Sequence, residues 1–474
     1  MSHEFDPFMS ATSMARLLRD RHISAPEVMQ AYLDRVERLN PAINAIIWLD
    51  EQLALEAATD SQVRLDSGAN IRPFEGVPLP FKDFGKVRGN PDTMGSWAFG
   101  DELATEDGFT AHLFRSAGFA LMGRTNTPEL AAVTDTVNAR YGATRNPWNL
   151  ERSVAGSSGG AAAAVAAGLA PAAHASDGGG SIRMPASANG LVGLKPSRGR
   201  IPTDLEMWNY AVTEGVVTRT VEDTATILDT LAVGDSLGWF FSRAPERPFA
   251  LAMNDNPGRL RIGVLPLDKI GLPVDEDCIE AVNVTARSLE RLGHTVTTVT
   301  PFMFEDATLG SFVQTVMAAY SVLLVGPNGD KCEPFIQYKI AQAHRVDAAE
   351  YVALLRDVQV QAREVVAQWG RDFDVLLTPT MATCVPPVDQ VHGEANDDPA
   401  SERLLERRMA GLTLTASLSG LPAASYPVHV DRDGMPVGIQ LVGRPGDEAT
   451  ILQLGLALER EYAWTLRHPA GYEA

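Results

Sequence analysis

Cysteine is scarce in this 474-residue chain, which has only Cys278, Cys332 and Cys384. They stand far apart, without the paired short spacings of a zinc site or the density of a disulfide scaffold. A reducing cytoplasm suits them, and no metal site is read here. Long apolar runs are missing too. No stretch reaches about 18 apolar residues, and the opening MSHEFDPFMSATSMARLLRD has no apolar core of signal-peptide length, so a soluble protein without a membrane partner is expected. Basic clusters are the third absence. With 40 basic against 60 acidic side chains the net charge is −20, which repels phosphate backbones and argues against a nucleic-acid partner. Neither G-x-x-x-x-G-K-[ST] nor G-x-G-x-x-G occurs, so a nucleotide-binding reading has no phosphate loop to stand on.

What is present is an ordinary globular stock, 45% apolar and 21% charged, without low-complexity tracts, and this excludes disorder as the main theme. Residues 10 to 66 carry apolar positions at helical spacing, and Ser24 with Glu27 makes a capping box with Pro26 in the first turn. Residues 1–70 are therefore expected to be a helical lead-in. From Gly76 short apolar runs alternate with helices: GVPLPF, a helix near 110 to 117, FALMG, an Ala-rich helix over 159 to 169, then AAHAS. The second half repeats the style with LRIGVL, a helix over 275 to 292, TVTTVT, DVLLTP, PVGIQLVG and a closing helix. The expected class is α/β. The Pro/Arg-containing stretch around 243 to 259 reads as a linker or as a connection within one sheet, and a single domain over 1–474 is expected.

Two Gly/Ser clusters stand out, AGSSGG at 155 to 160 and DGGGSIR at 177 to 183. Dense glycine lets backbone N–H groups converge on one anionic atom. A lone cluster of this kind is an ordinary tight turn, but two separated by one helix and one strand are harder to dismiss. The first opens onto GGAAAAVAAGL, a helix N-terminus with partial positive charge. The second ends in Ser181, where the N–H groups of Gly178, Gly179, Gly180 and Ser181 itself offer an oxyanion trap around a carbonyl that Ser181 attacks.

A serine hydroxyl needs a base. The histidines include His174, His294, His344, His392 and His429, none in a marked context, and His174 lies in an apolar run as a core histidine would. Lys82 ends the apolar run GVPLPF. A snorkelling lysine is the plain reading there, whereas burial would lower its pKa and make it a base.

Taken together, GVPLPFKD, RNPWNLERSVAGSSGGAAAAVAAG, DGGGSIRMPAS, GLVGLKPSRGRIP and GLPAASYPVHVDRDGMPVGIQLVGRP resemble the amidase-signature family, from about residue 15 to 460. The resemblance implies a large mixed β-sheet flanked by helices on both faces and a triad of Lys82, Ser157 and Ser181. It also implies a cis peptide before Ser157, and supporting roles for Ser158, Asp177 and Arg183. The activity implied is hydrolysis of an amide carbon–nitrogen bond, through an acyl-enzyme on Ser181, with no cofactor required. Two departures show: Ala155 takes the place of the first glycine of GGSSGG, and Gly178 takes that of the more frequent threonine.

Three readings compete within this frame. Gly156-Ser157-Ser158-Gly159-Gly160 also fits G-x-S-x-G, an esterase elbow with Ser158 as nucleophile and a histidine such as His429. The chain could also be the amidase subunit of a tRNA-dependent amidotransferase. The substrate expected of a free-standing hydrolase is a small-molecule amide. AAGFALMGRTNTPE and YGATRNPWNLERSV look most like bacterial amidases that include hydrolases of cyclic aminohexanoate oligomers. Trp208, Tyr210, Tyr320 and Cys332 are candidates for an apolar pocket, and a homodimer is left open.

Overall fold

Apolar runs bounded by turn residues and too short for helices become the strands of an eight-stranded sheet. Its order is Thr295–Thr298, Arg261–Val264, Val375–Pro379, Pro436–Val442, Ala423–Val430, Val192–Lys195, Thr213–Thr218, Ala172–Asp177. The structure is a computed structural model that describes residues 5–203, 208, 210–234 and 242–473. The first three strands pair in parallel and the remaining neighbours antiparallel, so the sheet is mixed. The stretch 243–259 connects two strands of this one sheet and contributes a short helix, Phe249–Ala252.

Helices cover both faces. Tyr426, opposite Ile439 in the ladder, sends its hydroxyl to the carbonyl of Ile451 on the Glu448–Tyr462 helix (2.6 Å). Neighbouring strand residues point to opposite faces. The missing side chain of Gly438 leaves room for the Arg183–Asn189 helix, since a Cβ there would stand 2.7 Å from Ser187 Oγ.

The lead-in is helical at Ala11–Arg19, Ala25–Ile43 and Glu51–Ser67, with the Ser24/Glu27 capping box closed in both directions. One element differs from expectation. Ile46–Trp48 is a strand, antiparallel to Ala120–Thr125, which in turn pairs in parallel with Pro78–Lys82. This three-stranded sheet ends at Lys82 and is packed against the Ala172–Asp177 strand. One buried apolar cluster contains residues from Ala11 to Trp464.

Candidate active site

The Pro78–Lys82 strand is buried at every position, so its last side chain has no route to water. Lys82 Nζ donates to Ser157 Oγ at 2.8 Å and to Ser176 Oγ at 3.0 Å. Burial pushes the Lys82 amine down to about 7, against the Glu214 and Asp177 carboxylates, which hold it up. Lys195 is equally buried and pushed to about 7, yet its Nζ donates to the Pro196 carbonyl (2.7 Å). A depressed pKa therefore does not by itself mark a base; the serine at hydrogen-bond distance distinguishes Lys82.

Ser157 is buried, and the Gly156–Ser157 peptide is cis. Ser158 faces elsewhere, its Oγ donating to the Ser176 carbonyl (3.2 Å) and accepting from the Ser176 N–H (3.3 Å). No histidine is hydrogen-bonded to it among the described residues. His429 lies 3.6 Å from Asp277, His392 is held by Glu333 and Asp389, and His174 by Glu214. The esterase elbow is thus not favoured.

Asp177 ends its strand and organises the turn that follows. Its Oδ1 accepts from the Gly180 N–H (2.7 Å) and its Oδ2 from the Ile182 N–H (3.3 Å), while Arg183 binds both oxygens at 2.8 Å. Burial alone would raise this carboxyl, but the Arg183 charge and hydrogen bonds outweigh it and hold the group below its ordinary range. Arg183 in turn donates to the carbonyl of Thr413 (2.9 Å), Gln440 Oε1 (2.6 Å) and Ser417 Oγ (2.9 Å).

The Gly179–Gly180 peptide is fixed at both ends. Its N–H goes to Asp177, and its carbonyl, that of Gly179, accepts from Thr413 Oγ1 (2.5 Å). Gly180 has φ +129°, and a Cβ there would stand 2.2 Å from Thr413 Oγ1, so the turn needs glycine. Of the four N–H groups expected to form the trap, that of Gly180 is donated to Asp177, which leaves Gly178, Gly179 and Ser181 as the candidates.

Gly179 and half-buried Ser181 line a cavity of about 680 Å³. Its walls are mainly apolar, with Trp208, Phe304, Phe312, Met317 and Leu414 among them. Trp208 also explains a departure from the family pattern. A Cβ on Gly178 would stand 2.5 Å from its ring, where the more frequent threonine would collide. Of the other pocket candidates, Tyr320 is buried edge-on to Trp208 (5.9 Å between centroids), Cys332 is buried 3.9 Å from Ser96 Oγ, and the Tyr210 carbonyl accepts from Arg198.

Sequence reasoning missed Ser176, Thr413, Ser417, Gln440 and most of the cavity wall. Ser176 carries a faint signal, a hydroxyl in an apolar strand beside the glycine turn. Among the described residues no group of three His, Cys, Asp or Glu side chains is placed to hold a metal ion.

A family model described as amidase matches residues 27–452. The chain belongs to the amidase family. Like its relatives, this amidase is a hydrolase of amide carbon–nitrogen bonds. It is 34% identical to a 6-aminohexanoate-cyclic-dimer hydrolase of Paenarthrobacter ureafaciens, covering 98% of this chain and 97% of that protein. It is 32% identical to an acylamidase of Rhodococcus erythropolis, again over 98% and 97%. The solved structure of 6-aminohexanoate cyclic dimer hydrolase complexed with substrate superimposes with a TM-score of 0.91 at 33% identity, over 98% of this amidase and 99% of that chain. With relatives of this kind, the amidotransferase-subunit reading of the amidase is not favoured. No helix of the amidase, among the described residues, is long and apolar enough to cross a membrane.

Proposed function

We propose that Ser181 is the nucleophile, Ser157 the proton relay and Lys82 the base, in the hydrolysis of an uncharged amide with a substantial apolar part. The observation that carries this reading is the 2.8 Å contact between Lys82 Nζ and Ser157 Oγ, next to Ser158, whose N–H donates to the carbonyl of Ser181 (3.3 Å), the serine that opens on the cavity. Neutral Lys82 takes the Ser157 proton while Ser157 Oγ takes that of Ser181. The Ser181 Oγ–carbon bond forms, and the N–H groups of Gly178, Gly179 and Ser181 face the carbonyl oxygen as it gains charge. The relay then runs back: the amide nitrogen receives the proton, the carbon–nitrogen bond breaks, and water hydrolyses the acyl-enzyme over the same groups.

Trp208, Phe304, Phe312 and Met317 offer the substrate apolar contact, which favours methylene-rich or aromatic amides over charged ones. Cyclic and linear aminohexanoate oligomers are the first candidates, since a relative bears that name. A cytoplasmic location belongs to the same proposal, and three free thiols, compatible with reducing conditions, support it.

The test is a panel of purified-enzyme assays on aminohexanoate oligomers, anilides and short carboxamides, joined to labelling with a serine-directed phosphonate. The label is expected on Ser181 and lost in Ser181→Ala. Recovery of the label on Ser158 would overturn the assignment.

A further inference from the structure

One pair beside the site, buried His174 and partly buried Glu214, is used by none of these steps. His174 and Ser176 lie two residues apart on the Ala172–Asp177 strand and so share a face, the one that meets the end of the Pro78–Lys82 strand. Ser176 Oγ accepts from Lys82 Nζ. The His174 ring stacks on Phe81, the residue before Lys82, with centroids 3.6 Å apart and an interplanar angle of 13°. Phe114 meets the ring edge-on at 5.5 Å. His174 Nε2 is 2.8 Å from Glu214 Oε2, and Glu214 sits directly opposite Ser176 in the antiparallel ladder.

A histidine in an apolar strand position carries a desolvation cost that packing alone would not demand. Burial lowers the His174 pKa, so the ring is neutral, and with a carboxylate as acceptor Nε2 bears the proton. Its Nδ1 is buried with no hydrogen-bond partner among the described residues, so among them the ring serves no wider network. What it holds is Glu214.

The other charges around Lys82 are matched. Asp177 is bound by Arg183 and lies near Lys195. Arg124, on the adjacent Ala120–Thr125 strand, pairs with Asp83 and Asp92. The Gly159–Ala166 helix packed on the strand has no ionisable side chain. Glu214 is joined by the neutral His174, and its negative charge is the largest favourable influence on the Lys82 ammonium.

We propose that Glu214 and His174 are a positioning pair for Lys82: His174, braced on Phe81, holds the Glu214 carboxylate opposite Ser176, the residue whose hydroxyl accepts from the lysine. This rests on the Lys82 reading above. The negative charge favours the ammonium form, so its removal lets Lys82 lose its proton at lower pH.

The test compares the pH dependence of kcat/KM for the full-length enzyme with that of Glu214→Gln, Glu214→Asp and Lys82→Ala, recording the melting temperature of each. Glu214→Gln is expected to move the acid limb down by about one pH unit, the size of one nearby charge at the effective dielectric of a protein interior. Glu214→Asp is expected to restore the limb towards wild type. A folded Glu214→Gln enzyme with an unmoved limb overturns the pair, provided Lys82→Ala has lost the rate. Retention of both rate and limb in Lys82→Ala overturns the Lys82 reading itself. Should Glu214→Gln not fold, His174→Phe takes its place. It keeps a ring on Phe81 but releases the carboxylate, with the same downward shift expected and the same contrary result.

Discussion

Arg183 closes on Asp177 at two points, Nε to Oδ2 and Nη2 to Oδ1, both at 2.8 Å, and neither side chain reaches solvent. Removing one partner of such a pair leaves a buried charge uncompensated, which costs about 3–5 kcal/mol. Arg183→Met should lose stability of that order in denaturant unfolding and should lower kcat, because the same carboxylate holds the Gly180 N–H. A wild-type unfolding midpoint would show that the pair does not brace the turn.

The acid limb of the rate tests the base proposed above. Lys82 has its folded pKa depressed to about 7, so its neutral form predominates above that pH and is lost as pH falls through it. The expected profile of kcat/KM rises through about 7 and stays high on the alkaline side; an unperturbed lysine would delay the rise to ~10.4. Lys82→Ala should remove the limb with most of the rate. His392, which its carboxylate partners raise to about 9 against the cost of burial, offers a contrast: His392→Ala should leave the limb in place. A limb erased by a histidine substitution and kept in Lys82→Ala would return a Ser-His mechanism.

Ser157→Ala deletes the one hydroxyl proposed to pass a proton between Lys82 and Ser181. The expected loss in kcat is about 10²–10⁴, the range for general acid–base groups, with the melting temperature little changed. Full activity in this variant would remove the relay from the mechanism.

Gly178 and Trp208 are matched in volume, since a Cβ at 178 would stand 2.5 Å from the indole. Gly178→Thr should destabilise the enzyme by about 1–3 kcal/mol through overpacking. Adding Trp208→Ala should recover part of that loss, at the expense of affinity for apolar amides. A double-mutant cycle reads the coupling; strictly additive effects would mean that the ring does not occupy the threonine's place.

The candidate site was legible wherever it is built from residues close in sequence. Asp177, three glycines and Ser181 form one turn, and Ser157 and Ser158 open one helix. Lys82 stood out because a charge terminates an apolar strand. Ile46–Trp48 escaped notice because three residues hold no period, and the segment is a strand only by virtue of Ala120–Thr125 beside it. The commitment of the Gly180 N–H to Asp177 was hidden for a similar reason: a run of glycines shows that N–H groups can converge, not which of them a neighbouring carboxylate has already taken. The cavity wall draws on Trp208, residues 265–272, 300–317 and 403–415. No spacing in the chain brings those together; only tertiary packing, to which the Leu404–Ser419 helix contributes, does.

The turn that bears Ser181 is fastened by Thr413, Ser417 and Gln440, all more than two hundred residues downstream. The side chains of the proposed triad, Lys82, Ser157 and Ser181, therefore leave the ribosome long before the residues that fasten the Ser181 turn. A stalled nascent chain ending before Thr413 holds all three proposed reacting groups but lacks Thr413, Ser417 and Gln440. Synthesis of the last strand, Pro436–Val442, supplies Gln440 and completes that set. The order of synthesis thus places the proposed reacting groups first and the side chains that fasten their turn last.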